Sequence, residues 1–141
     1  MALELESLKK AINSLSSILK KTNEDNFMSQ LDDVTRSGLK AGVIKNFEFT
    51  YELCWKFMKR WLSHNINKDE IENLKTRRQL FRFASMYNLI GDPQKWFEYG
   101  DARNMTSHVY DELKAEKIYD VANKFINDAN KFLSNLEKLN D

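Results

Sequence analysis

Proline occurs once, cysteine once and glycine four times in this chain of 141 residues. A β-rich domain needs a turn every ten residues or so, and turns draw on glycine and proline. Their scarcity argues against that class and points to long helices with few breaks. The lone Cys54 excludes an intrachain disulfide and a cysteine-based metal site within one chain. No run approaches the roughly eighteen uninterrupted apolar residues of a membrane-spanning helix. The charged, amphipathic start MALELESLKKAINSL lacks the apolar centre of a signal peptide, so a cytoplasmic protein with no membrane association is expected. An excess of one charge is missing too, with a formal net charge of +1. There is no polybasic tail and no acidic arm, so nucleic-acid binding would have to come from a local patch.

What is present fits one helical domain over residues 1–141, long enough for a single core. Leu5, Leu8, Ile12, Leu15 and Leu19 recur at spacings of three and four and predict a first helix from about Leu3 to Lys21. A polar connection follows to Gly38, with a short helical piece expected around Phe27 to Val34. The second helix, Leu39 to about His64, carries two overlapping apolar stripes. One is Ile44, Phe47, Tyr51, Trp55, Met58 and Leu62; the other is Val43, Phe47, Cys54, Phe57 and Trp61, with Thr50 in its gap. Two stripes mean that most of the circumference is covered by protein. Either this is the central helix of a monomeric bundle, or one stripe packs the core and the other a second subunit. The aromatic density favours the second account.

Asn67 and Glu70 form a plausible capping pair for a third helix, Lys68 to Tyr87, whose middle KTRRQLFR is basic. That basic face reads as solvated unless it lies near the cluster described next. In LIGDPQKW, Gly91 suits a helix C-terminus, Asp92 an N-cap and Pro93 a first helical position. A fourth helix is expected from Pro93 to about Thr106, a break at SHVYDE, and a last helix from Asp111 to Leu139. The last helix has the stripe Ile118, Ala122, Phe125, Ala129, Phe132, Leu136 and Leu139. The fold class is therefore all-α: an antiparallel up-and-down bundle of four main helices plus a short extra one.

The stretch GDARNMTSHVYDE is more than a bundle requires. It sets Arg103, Asn104, Ser107, His108 and Tyr110 close together, in a chain with only two histidines. On an unbroken helix, five residues turn through about 500°, so Arg103 and His108 would diverge by roughly 140°. They can converge only if the helix ends between them, and NMTSH offers residues that prefer such ends. Arginine forks onto a phosphate and stabilises its extra charge in the transition state. Histidine moves protons near neutrality. For RNA, a base could activate the 2′-hydroxyl to attack its neighbouring phosphate without a metal, while a general acid serves the leaving oxygen. His64 sits at the far end of another helix, so a two-fold dimer supplying a second His108 would complete the pair. No Gly-rich phosphate loop, no Ser–His–Asp arrangement and no paired metal spacing is present, so no cofactor is expected. Glu52 is expected to be solvated or paired with Lys56.

VIKNFEFTYELCWKFMKRWL (Val43–Leu62) together with DARNMTSHVYDE (Asp101–Glu112) resembles the HEPN superfamily, in the branch of nucleotidyltransferase substrate-binding proteins related to the HepT toxins. The FEFTYELCWK run and the pattern Arg103, four residues, His108, one residue, Tyr110 carry the resemblance. It implies a helical bundle that dimerises with the Arg–His motifs of both copies facing a shared cleft. It further implies a metal-independent endoribonuclease whose partner is a minimal nucleotidyltransferase acting as antitoxin by adding AMP to Tyr110. Arg103 would bind the scissile phosphate, His108 would handle the proton, and Asn104 would orient one of them. The alternative is a non-catalytic nucleotide- or substrate-binding subunit of a two-component nucleotidyltransferase. A third option is a plain dimerisation module in which the cluster only caps a helix.

Overall fold

Side-chain caps and apolar periodicity together set the elements of the computed structural model, which describes residues 2–140. Helix α1 runs Glu6–Thr22, α2 Asp25–Ser29, α3 Asp33–Asn65, α4 Lys68–Glu72, α5 Arg77–Met86, α6 Pro93–Asn104 and α7 Glu112–Leu139, with a 3₁₀ turn at Thr106–His108 between the last two. The all-α expectation holds, and four helices (α1, α3, α6, α7) frame the bundle.

The register of side chains fixes their directions. Thr50 donates to the Ala11 carbonyl and Ser14 to Asn46, so α1 and α3 run antiparallel. Lys40 meets Glu116 at one end of α3, and the Trp61 indole reaches the Leu139 carbonyl at the other, so α7 runs parallel to α3. Tyr99 donates to Asp128 and Trp96 packs on Phe132, which makes α6 antiparallel to α7. The four frame helices therefore alternate up and down along the chain. Among the described residues, no helix is long and apolar enough to cross a membrane.

Helix α3 starts at Asp33, six residues earlier than the apolar pattern suggests, because Asp32 caps it by accepting from the Thr35 amide. Gly38 therefore lies inside a helix rather than at its end. The short helical piece falls at Asp25–Ser29, earlier than expected. The expected third helix is two helices. It breaks at Asn73, and Thr76 starts a new one with a full capping box to Gln79. Helix α5 does not end on Gly91. Asn88 takes the left-handed conformation with φ 65°, and the Leu89 amide donates back to the Ala84 carbonyl at 2.9 Å while the Asn88 amide reaches Ser85. That is a Schellman closure, with Leu89 buried at the position that seals it. Asp92 and Pro93 do start α6, and Asp111 caps α7.

Both stripes of α3 are covered within one protomer. Val43, Ile44, Phe47, Thr50, Tyr51, Cys54, Phe57, Met58, Trp61 and Leu62 are all buried, and only Trp55 is half-exposed. The second stripe thus belongs to the core, and it is no sign of a second subunit. Phe125 is the hub of an aromatic cluster, edge-on to Phe47, Trp96 and Tyr99 with centroids 5.1, 5.7 and 5.2 Å away. Helix α6 lies close against this cluster through Gly100, where a Cβ would stand 2.9 Å from the Tyr51 hydroxyl.

Candidate functional site

The break required between Arg103 and His108 is present. Helix α6 ends at Asn104, and the Thr106 hydroxyl donates to the Arg103 carbonyl at 2.8 Å, satisfying one of the helix's open acceptors. The chain then tightens into the 3₁₀ turn. Its His108 amide donates to Met105 and its His108 carbonyl accepts from Asp111, both at 3.0 Å. Asp111 Oδ1 next accepts from Leu113 and Lys114, so α7 begins at once. His108 is thus half-buried on a short turn that packs against α3, α6 and α7.

Arg103 turns toward α3. Its Nε donates to Glu52 Oε1 at 2.8 Å, and its Nη2 stands 3.8 Å from Glu48 Oε1. Glu48 and Glu52 are four residues apart and share a helix face. Glu52 does not pair with Lys56. Its second oxygen accepts from the Trp55 indole at 2.9 Å, and Arg77 of α5 reaches both oxygens at 3.3 and 3.5 Å. Burial alone would raise the Glu52 carboxyl. The hydrogen bonds from Trp55 and Arg103, with the charges of Arg77 and Arg103, outweigh it and hold the carboxyl below its ordinary value. Arg77 also lies over the Trp55 ring at 4.4 Å.

The basic face of α5 therefore does lie beside the Arg103 cluster. Arg78 stands 3.7 Å from Asp101 and over the Phe97 ring. Between α5 and α6 a cleft of about 240 Å³ is lined by Tyr51, Arg77, Arg78, Phe81, Phe97 and Asn104 among others. Burial pushes the Tyr51 hydroxyl up, with Arg77 beside it pulling the other way.

The residues singled out in the sequence divide among four places. Arg103 faces the carboxylates of α3, and Asn104 faces the α5–α6 cleft. Ser107 is exposed on the 3₁₀ turn with His108. Tyr110 stands in solvent at 83% exposure, next to the equally open Leu113. Sequence reasoning missed Glu52, Trp55 and Arg77 as parts of one cluster. The four-residue spacing of Glu48 and Glu52 was the available signal; Arg77 comes from a separate helix and gave none.

The helical bundle carries an Arg–turn–His motif between its last two helices, with the arginine bonded to Glu52 of the central helix, and it fits a HEPN-like domain. Residues 3–138 match the family described as nucleotidyltransferase substrate binding protein like, and the chain belongs to that family. It is 36% identical over 139 residues to a Haemophilus influenzae protein named probable ribonuclease HepT, covering 98% of this chain and 94% of that one. It superposes with a TM-score of 0.91 and 36% identity on a Haemophilus influenzae structure described as the fold of a substrate binding domain of a nucleotidyltransferase, over 95% of this chain and 99% of that one. A Thermus thermophilus structure shares the fold at TM-score 0.66 and 22% identity, over 89% and 98% of the two chains.

Proposed function

We propose that this chain is a metal-independent endoribonuclease that acts as a homodimer and pairs with a minimal nucleotidyltransferase as its antitoxin. The carrying observation is how Arg103 is held. Glu52 takes its Nε at 2.8 Å, while the 3.8 Å approach of Glu48 is too long to be a hydrogen bond for Nη2. The side chain keeps 32% of its surface exposed and neither Nη makes a hydrogen bond among the described residues, so from this fixed orientation the guanidinium can reach a phosphate. The relative named as a probable ribonuclease supports the same reading.

In this mechanism Arg103 binds the scissile phosphate. His108 takes the proton of the 2′-hydroxyl, whose oxygen attacks the adjacent phosphorus. The P–O5′ bond breaks, leaving a 2′,3′-cyclic phosphate, and the departing 5′-oxygen receives a proton from the second copy's His108. Asn104 and Ser107, at the rim, would contact the substrate. The test is His108→Ala: RNA cleavage and growth inhibition are lost while the dimer persists by size analysis. Cleavage at the parent rate by that variant overturns the mechanism.

A second reading is favoured by the α5–α6 cleft. Its aromatic walls Phe81 and Phe97, with Arg77, Arg78 and Asn104, suit a nucleotide base and phosphate, and the family's description names substrate binding. In that case the chain is a non-catalytic nucleotide- or substrate-binding subunit. The purified protein would bind a nucleotide in a way that depends on Arg77 and Arg78, and would cut no RNA.

A further inference from the structure

The charges of this near-neutral chain are not evenly spread. Lys9, Lys21, Lys40 and Lys45 each lie within 4 Å of a carboxylate. On the C-terminal half of α3 the pattern changes. A groove of about 720 Å³ is lined by Lys56, Lys59, Arg60, His64 and Lys68, with Trp55 at one end. Among the described residues, none of these five cationic or imidazole groups has a carboxylate within 4 Å; Glu72 is the one acid on the groove wall.

Lys56 and Arg60 stand four residues apart on one helix face, where like charges destabilise the helix, and His64 follows at the same spacing. Lys56, Arg60, His64 and Lys68 are all exposed. Lys56 lies over the Trp55 ring at 5.8 Å and Arg60 over the Phe57 ring at 5.1 Å, and among the described residues no carboxylate neutralises either. From Lys56 to His64 the helix rises about 12 Å. The groove does not stop at Trp55. The indole also lines a smaller cleft with Lys59, Lys75 and Arg77, and Arg77 lies over its ring and reaches the Glu52 carboxylate that holds Arg103. A basic track thus leads from the candidate site along α3.

We propose that this track binds single-stranded RNA outside the reacting phosphodiester, with the cations following the backbone and a base stacking on the Trp55–Arg77 pair. A positive groove with an aromatic platform is how single strands are held without sequence preference. Lysine is depleted at the centres of protein–protein interfaces, which disfavours a protein occupant. A free nucleotide would leave most of the 12 Å row unmatched. The inference rests on the ribonuclease reading for its choice of RNA, but it concerns binding alone.

The experiment therefore uses the full chain carrying His108→Ala, so that binding is read without turnover and a failure of cleavage is a separate result. Fluorescence anisotropy follows a labelled 20-nucleotide oligouridylate across a salt series. In that background, K56Q/R60Q/K68Q should weaken binding at least tenfold at low salt. It should also reduce the slope of log affinity against log salt by about 2, at roughly 0.7 per lost phosphate contact. A charge-matched control, K117Q/K124Q/K131Q on exposed positions of α7, should keep the parent affinity. Oligouridylate should quench the half-exposed Trp55 but not the buried Trp61 and Trp96, so Trp55→Phe should abolish the quench. The proposal is overturned by no oligonucleotide binding, by equal losses in both triple variants, or by full competition from equimolar AMP or ATP. Retention of RNA binding with loss of association to the nucleotidyltransferase would also overturn it, and would assign the groove to protein docking.

Discussion

Arg103 Nε donates to Glu52 Oε1 at 2.8 Å across 51 residues of chain, joining the end of α6 to the middle of α3. The same carboxylate is bonded by Trp55 and Arg77. Glu52→Gln keeps the shape and removes the charge that two guanidiniums share. Hydrogen bonds to charged groups contribute about 1.5–3 kcal/mol each, so the substitution should lower the unfolding free energy by an amount in that range. Urea denaturation checks it; an unchanged midpoint would mean the pair is solvent-screened and structurally idle.

The same group sets an expectation for acid. Its folded-state carboxyl titrates below its unfolded value of about 4.5, despite burial, because of Trp55, Arg103 and Arg77. Its contribution is then full above the unfolded value and disappears as pH falls through the lowered folded value. The stability gap between parent and Glu52→Gln should be constant from pH 7 to about pH 5 and narrow as pH falls below the unfolded value of about 4.5. A gap that widened on acidification would reverse the sign of this argument. Asp32, the α3 cap, is also held low by its bonds to Thr35 and adds to the parent's acid sensitivity.

Gly100 meets two opposed effects. An alanine in a helix interior gains about 1 kcal/mol over glycine, but here its Cβ would lie 2.9 Å from the Tyr51 hydroxyl, with the next ring atom at 3.7 Å. Tyr51 is buried at 1% exposure, so its ring can give only a little. Overpacking of this kind costs about 1–3 kcal/mol, so Gly100→Ala should be neutral to destabilising in the parent. With Tyr51→Phe the offending oxygen is gone, and the same change should become stabilising by up to about 1 kcal/mol. A double-mutant cycle reads the difference directly. Additive effects would show that the contact relaxes without cost.

How much of this could be read from the chain follows from the range of each interaction. Asp92–Pro93, Asp111 and Asn67 were legible as helix starts because each cap is a side chain bonding an amide two or three residues on. The end of α5 misled, because Gly91 is the commoner left-handed residue and Asn88 takes the role instead. The two stripes on α3 correctly told that most of its circumference is covered, but periodicity cannot say by what, and the rest of the same chain covers both stripes. The break between Arg103 and His108 was readable from NMTSH. The carboxylate that orients Arg103 was not, since Glu52 lies 51 residues from Arg103 and 25 from Arg77. Only the packing of α5 and α6 on α3 brings the three together.

Tyr110 contributes nothing to the core of the fold. It is 83% exposed, no hydrogen bond holds its hydroxyl among the described residues, and Val109 and Leu113 nearby in the chain are exposed as well. If the partner nucleotidyltransferase adds AMP here, the tyrosyl oxygen attacks the α-phosphorus of ATP, pyrophosphate leaves, and the phenolic proton goes to solvent or a base. The product is a phosphodiester beside the turn that carries His108, adding a negative charge where an RNA phosphate would need to approach. Incubation with the cognate nucleotidyltransferase and ATP should therefore add adenylate to a peptide containing Tyr110 and lower RNA cleavage. Tyr110→Phe should remain unlabelled and stay active under the same treatment. Because the side chain is exposed, its stability should change by less than about 0.5 kcal/mol. Adenylate found on another residue, or equal inhibition of the Y110F protein, would remove Tyr110 from the account and leave physical occlusion by the partner as the means of control.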